Sequence, residues 1–280
     1  MDWYRGKRVV ITGGSSGIGK ATAILLSEWD AHVCILARDP EKLEAAIKEI
    51  RAKAENPGQK LHFFSVDVSN RAQIRGVASK VIDYLGGIDV LINCAGIAWP
   101  GYVHLIPDSV WDSMIQVDFM GTVNTVRAFL PYFMERKHGH IANVSSAAGY
   151  MGVFGYAAYS AAKFAVVGFS ECLRQDLLPY NIKVAVIYPP DTDTPQWYEE
   201  NKIKPPETKV LSGNIKVMPA ERVAVSLLKG VAGGTFHIIP GAMNKFAYFM
   251  SRHFPAIVWF IVSRDLHKYW EKADQLNEDR

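Results

Sequence analysis

Short Val- and Ile-rich runs alternate with amphipathic stretches from Arg8 to Ile239 of this 280-residue chain, and few folds accept that pattern. The runs are Arg8–Thr12, His32–Ala37, Leu61–Val66, Val90–Asn93, His140–Val144, Lys183–Ile187 and Thr235–Ile239, each bounded by Gly, Pro, Asn or Asp. Between them apolar residues recur every three or four positions, as at Ile18, Ala21, Leu25 and Trp29, which is the spacing of one helix face. Asp39-Pro40 reads as an N-cap followed by a first-turn proline, opening a helix that runs to about Lys53. Strands this apolar must be covered on both faces. The expectation is an α/β fold: one doubly wound, Rossmann-type domain with a parallel sheet of about seven strands and helices on both faces. Residues 1–235 form its body, including a loop at 189–214, and residues 236–280 form a C-terminal extension of the same domain.

Thr12-Gly13-Gly14-Ser15-Ser16-Gly17-Ile18-Gly19 joins the first predicted strand to the first predicted helix. Glycines at 13, 17 and 19 suit a tight turn, a backbone that approaches a pyrophosphate, and close helix–sheet packing. The helix N-terminus adds unpaired N–H groups and a positive dipole end. A glycine-rich turn alone is often only a turn; the strand–turn–helix context points to a dinucleotide. At the end of the second strand, where an NAD site keeps an acid for the ribose 2′-OH, the chain has Arg38 followed by Asp39. A guanidinium there fits a 2′-phosphate, so NADPH is the expected cofactor and Asp39 is taken as the helix cap. Asp67 and Val68 follow the third strand; Asp67 either meets the adenine or simply caps its own turn.

Tyr159 and Lys163 stand four residues apart on a predicted helix and share a face. A phenol of pKa near 10 moves protons poorly at neutral pH unless a cation stabilises its anion, and Lys163 would do so. Ser146, after the fifth predicted strand, offers a hydroxyl to hold a carbonyl toward the phenol; Ser145 is the alternative from the same pair. A Tyr–Lys pair at this spacing is common on helix surfaces, so its meaning depends on the other motifs.

Taken together, the cofactor turn, Asn93-Cys94-Ala95-Gly96, and Ser146 with Tyr159 and Lys163 resemble the short-chain dehydrogenase/reductase family over nearly the whole chain. The resemblance implies that Tyr159 is the general acid–base, Lys163 binds the nicotinamide ribose and lowers the phenol pKa, and Ser146 orients the carbonyl. It places Asn93, Ala95 and Gly96 beside the cofactor. It also implies two departures. Asp118 stands where the family often has an asparagine that feeds a proton relay, and Pro189-Pro190 replaces a Pro-Gly turn, with Thr194 falling near the nicotinamide. The segment from Tyr188 to Thr208 resembles the corresponding loop of the 3-ketodihydrosphingosine reductases of that family, which implies NADPH-dependent reduction of a long-chain keto lipid. Glu199, Glu200 and Asp191 are then candidates for a substrate ammonium, although a charge run on a loop is usually solvated. Another lipid or steroid keto/hydroxy oxidoreductase shares all these residues, and a non-catalytic NADP-binding sensor or scaffold is the reading from outside the enzymes. A homodimer or homotetramer built on two long helices is what the family implies.

Two further stretches bear on partners. Residues 189–214 carry Pro189, Pro190, Pro195, Pro205 and Pro206, which reads as a substrate-side loop without regular helix. Residues 236–270 interleave aromatics with Lys245, Arg252, Arg264 and Lys268. That mixture suits a segment lying in a headgroup layer, and equally an aromatic cover over a pocket or a subunit interface. The longest apolar run, Phe254 to Val262, is too short to span a bilayer. Charge is nearly balanced, 31 Lys+Arg against 28 Asp+Glu, which gives no electrostatic case for nucleic acid. Cys34, Cys94 and Cys172 lie far apart with no metal-ligand spacing, so reduced thiols, no metal and a cytoplasmic setting at the cytosolic face of a membrane are expected.

Overall fold

The structure is a computed structural model that describes residues 1–213 and 216–278; residue 214 of the proline-rich segment and residues 279–280 of the C-terminal extension lie outside the described residues. Its strands are β1 (Arg8–Thr12), β2 (His32–Ala37), β3 (Leu61–Ser65), β4 (Val90–Asn93), β5 (Gly139–Val144), β6 (Ile182–Ile187), β7 (Thr192–Asp193), β8 (Met218–Pro219) and β9 (His237–Ile238). Its helices are α1 (Gly17–Glu28), α2 (Pro40–Arg51), α3 (Arg71–Leu85), α4 (Asp108–Met114), α5 (Gly121–Arg136), α6 (Ala157–Asp176), α7 (Pro195–Ile203), α8 (Pro206–Ser212), α9 (Ala220–Ala232), α10 (Ala242–His253) and α11 (Pro255–Glu278).

Seven strands pair in the order β3-β2-β1-β4-β5-β6-β9, every ladder parallel. Successive residues of one strand feed opposite faces, as the two-residue period demands. Val9 and Ile11 of β1 join Leu26 of α1, Ile47 of α2 and Leu227 of α9 in one core. Val10 faces the other way, with Val81 of α3 and Phe129 and Phe133 of α5. Truncating Phe129, which is fully buried, to alanine would cost about 3–5 kcal/mol in lost transfer energy and cavity. The chain winds outward from β1 to β3, then crosses back to β4. This is the doubly wound Rossmann arrangement, and its crevice opens at the carboxyl ends of β1 and β4, where the winding reverses.

One expectation fails in the proline-rich segment. It holds two helices, α7 and α8, because Pro195 and Pro206 each occupy a first-turn position where the missing N–H is not needed. Thr194 caps α7, its Oγ1 accepting from the Trp197 N–H at 3.2 Å. The two-residue β7–β8 ladder ties the start of this segment to the start of α9. Beyond β9, α10 and α11 leave Met243, Phe246, Phe249, Ile257, Trp259 and Phe260 exposed. Among the described residues, no helix is long and apolar enough to cross a membrane.

Candidate active site

A cleft of about 400 Å3 opens at the strand ends. Its floor is the turn between β1 and α1, where Gly13, Ser15, Ser16, Gly17, Ile18 and Gly19 all line the space. The glycines are sterically required. Gly13 has φ +69°, and a Cβ there would stand 2.8 Å from the Ala95 backbone. On Gly19 a Cβ would stand 2.2 Å from the Gly13 carbonyl oxygen. Ser16 precedes α1 without a side-chain cap, so the first N–H groups of the helix face the cleft unclaimed by a capping hydroxyl. Backbone donors, a positive helix end and no intruding side chain fit a dinucleotide pyrophosphate.

At the end of β2, Arg38 is exposed and lines the cleft. Asp39 caps α2 as expected, its Oδ1 accepting from the Glu41 and Lys42 N–H groups at 3.0 and 3.1 Å. Those bonds, the one from Lys42 foremost, hold its carboxyl below the usual range. Lys42, in the first turn of α2 and 3.5 Å from Asp39 Oδ2, also lines the cleft, a second cation the sequence reading missed although its four-residue spacing from Arg38 was visible. Val68 lines the cleft, but the Asp67 carboxylate is taken up by its own turn, accepting from the Ser69 N–H at 2.9 Å and hydroxyl at 2.7 Å.

Ala95 and Gly96 line the middle of the cleft. Thr12 Oγ1 accepts from the Cys94 and Ala95 N–H groups at 3.1 and 3.2 Å, fixing the path of the chain as it leaves β4. Asn93 lies behind the cleft wall, its Nδ2 donating to Asn143 Oδ1 at 2.8 Å; Asn143 in turn donates to Ser170 of α6 at 2.8 Å. This buried polar ladder ties β4, β5 and α6 together, and only its first member was anticipated. Asn143 was readable as an amide inside an apolar strand.

Ser145 and Ser146 separate cleanly. Ser145 Oγ donates to the Lys163 carbonyl at 2.9 Å and serves to dock α6 on β5. Ser146 caps a short 3-10 turn at 147–149, its Oγ accepting from the Ala148 N–H at 3.2 Å, and lines the cleft with Tyr159. Lys163 is buried; its Nζ donates to the Val144 carbonyl at 3.2 Å and stands 5.5 Å from the Tyr159 ring centre. Ser146, Tyr159 and Lys163 thus line one cleft with the glycine turn, while Asp118, the fourth residue expected to be catalytic, is not among the residues that line it. Pro189 and Thr194 also line it; Thr194 stands against Gly17, where an added Cβ would lie 3.1 Å from its methyl carbon, and the Pro189 carbonyl accepts the Ala147 N–H at 2.9 Å.

The electrostatics depart from expectation. The Tyr159 phenol is held above its ordinary pKa, chiefly by burial and then by the Asp118 and Glu200 carboxylates, with Ser146 pulling the other way. The free protein therefore keeps the phenol protonated, where the sequence argument has Lys163 drawing its pKa down. Asp118 sits in a π-helical turn at Ile115–Met120 between α4 and α5, fully buried. Its Oδ1 accepts the Ile97 N–H at 2.7 Å and its Oδ2 has no hydrogen-bond partner. Burial pushes this carboxyl up to about 6, with Lys163 opposing. A Cβ on Gly96 would meet both Asp118 Oδ1, at 2.9 Å, and Lys163 Nζ, at 3.2 Å, so that glycine is the clearance that lets the two groups approach.

Comparison with known proteins agrees with this geometry. The short chain dehydrogenase family profile matches residues 7–204. A protein from Danio rerio named 3-dehydrosphinganine reductase is 43% identical over 232 residues, 82% of this chain and 70% of its own length. A Bos taurus protein named 3-ketodihydrosphingosine reductase is 40% identical over 233 residues, 83% of this chain and 70% of its own length. Among solved structures, a short chain dehydrogenase/reductase from Burkholderia phymatum in complex with NAD superposes with TM-score 0.80 at 23% identity, covering 92% of this chain and 96% of that one. The chain belongs to the short-chain dehydrogenase/reductase family of oxidoreductases.

Proposed function

We propose that this chain reduces the 3-keto group of 3-ketodihydrosphingosine to dihydrosphingosine with NADPH. The observation that carries the reading is the convergence of Ser146, Tyr159 and Lys163 on one cleft with an open glycine turn, in a chain whose relatives are named for that substrate. Arg38 just after β2 and Lys42 in the first turn of α2 support a cofactor bearing a 2′-phosphate, since two exposed cations there match an added dianion. A bound nicotinamide supplies the hydride. Ser146 holds the carbonyl oxygen, and Tyr159, kept protonated by its surroundings, donates its proton as that oxygen gains charge. Lys163, fixed on the Val144 carbonyl, binds the ribose edge and neutralises the phenolate that remains. Asp118 fixes the Ile97 backbone and stands within the field of Lys163, a positioning role for the carboxyl that replaces the amide.

NADPH oxidation with 3-ketodihydrosphingosine in detergent micelles tests the reading, with a steroid ketone as comparison. Turnover of the sphingoid ketone and little of the steroid is expected; turnover of the steroid alone would overturn the substrate. A lipid substrate also gives the exposed face of α10 and α11 a use. Phe246, Trp259 and Phe260 with Lys245, Arg252, Arg264 and Lys268 support contact with the headgroup layer of an anionic membrane at the cytosolic side. Co-sedimentation with phosphatidylserine vesicles should fall when Trp259 and Phe260 are both changed to Glu, and unchanged co-sedimentation would remove that face from consideration.

A further inference from the structure

One wall of the cleft is built by α7 and its approach, and its charges are not explained by hydride transfer. Three acids of this region were open candidates for a substrate ammonium, and the structure separates them. Glu199 is exposed, absent from the cleft and paired with Lys202 at 2.6 Å. Glu200 lines the cleft, and two bonds orient its carboxylate. The Tyr156 hydroxyl donates to Oε2 at 2.6 Å, and Gln196 Nε2 donates to Oε1 at 2.8 Å. Asp191 lines the same wall. Among the described residues, neither Glu200 nor Asp191 has a cation within ion-pair distance.

Both carboxylates act on the reacting phenol, and both oppose its ionisation. The ring of Tyr156, whose hydroxyl holds Glu200, has its centre 5.7 Å from that of Tyr159. The cation on this wall is Lys204, which is buried with its Nζ 5.7 Å from the Tyr156 ring centre and 5.9 Å from that of Trp197. Two acids against one lysine leave the wall negative, next to aromatic faces that already accommodate an ammonium. A carboxylate kept beside a proton donor raises that donor's pKa and weakens it, so a role in proton transfer does not explain it. A second role for the charge does.

We propose that Glu200, oriented by Tyr156 and Gln196 and assisted by Asp191, is the subsite that reads an ammonium on the carbon next to the reacting carbonyl, so that the cleft selects α-amino ketones over plain ketones. The inference rests on the ketoreductase reading above. An ammonium on the carbon bonded to the carbonyl carbon must lie within a few ångströms of the carbonyl oxygen. With that oxygen at Tyr159, Glu200 is a carboxylate within reach of the ammonium, since it lines the same cleft and is held by Tyr156, whose ring centre is 5.7 Å from that of Tyr159. The ammonium replaces water as the carboxylate's partner, and a charge-assisted bond forms that a plain ketone lacks.

The test measures kcat/KM with NADPH for 3-ketodihydrosphingosine and for its 2-deamino analogue of equal chain length, both in detergent micelles. The wild-type chain should prefer the amine by tenfold or more. Glu200→Gln keeps an acceptor for the Tyr156 hydroxyl while removing the charge, and should lower the preference roughly 10- to 100-fold. Glu200→Asp, which restores a carboxylate, should recover most of it. If Glu200→Gln does not fold, Asp191→Asn measured the same way should lower the preference by a smaller factor. A wild type with no preference, or variants that lose both substrates in equal proportion, would overturn the subsite and leave the ketoreductase standing. A wild type that reduces neither ketone would overturn the ketoreductase reading itself.

Discussion

The two halves of the cleft are made of different material. The half under β1, β2 and β4 is largely backbone: a turn whose glycines leave no room for a Cβ, the first N–H groups of α1, and the Cys94 and Ala95 amides tied by Thr12. The half under β5, β6 and α7 is side chain: Ser146, Tyr159, Lys163, Asp191, Glu200 and the rings around them. Backbone recognition tolerates little variation and reads a feature common to many substrates' cofactor, the pyrophosphate. Side-chain recognition can be rewritten one residue at a time, and that is where a family that shares one cofactor chemistry diversifies its substrates.

The sharpest way to break this division is to remove a side chain from the second half and ask whether the first half notices. Tyr159→Phe deletes the hydroxyl proposed as the proton donor and nothing else, so turnover should fall about 10²- to 10⁴-fold. Dinucleotide affinity, read by fluorescence titration, should stay within a few-fold. Comparable losses in both would mean the two halves are not separable.

How much of this was legible in the sequence follows the same line. The glycine turn, the strand periodicity and the Asp39-Pro40 helix start are local requirements of backbone geometry, and each stands where the residues placed it. The polar ladder from Asn93 through Asn143 to Ser170 was only one-third visible, because sheet register brings Asn143 beside Asn93 and the packing of α6 on the sheet brings Ser170 to Asn143. Prolines in 189–214 argued against helices because their number was counted without their positions; Pro195 and Pro206 start helices where an interior proline would break one. The direction of the Tyr159 shift was out of reach, since it depends on burial and on Asp118 and Glu200, which lie far away in sequence and close in space.

Asp118 sits between the halves and gives the next largest effect. Its carboxyl titrates near 6 in the fold against an ordinary value of 3.8, because burial disfavours the charge. The stability it carries when protonated is fully present below about pH 4 and is lost as pH rises through 6. Asparagine does not titrate and keeps an acceptor for the Ile97 N–H. Asp118→Asn should therefore gain on the wild type as pH rises from 4 to 7, by an amount on the order of 2–3 kcal/mol, and the gap should then level off. Urea unfolding at pH 4.5 and 7.5 measures it. A gap that does not change with pH would show that the burial of this charge is relieved in some other way, and with it would go the idea that Asp118 couples the two halves electrostatically.

The smallest effect is expected at the open end of the first half, where recognition passes back from backbone to side chain. Arg38 is exposed, so the hold proposed for it on a 2′-phosphate would be screened by salt in a way that buried contacts are not. Arg38→Ala should weaken NADPH binding about tenfold, leave NADH binding nearly unchanged, and so narrow the ratio between them. Raising the salt from about 50 to 500 mM should narrow the same ratio in the wild type, since the Debye length shrinks to a few ångströms. In the variant, salt should move the ratio less, with Lys42 accounting for the remainder; Lys42→Ala in addition should remove it. If the ratio were insensitive to both salt and Arg38, the discrimination would have to be made deeper in the cleft, by the same backbone that reads the pyrophosphate.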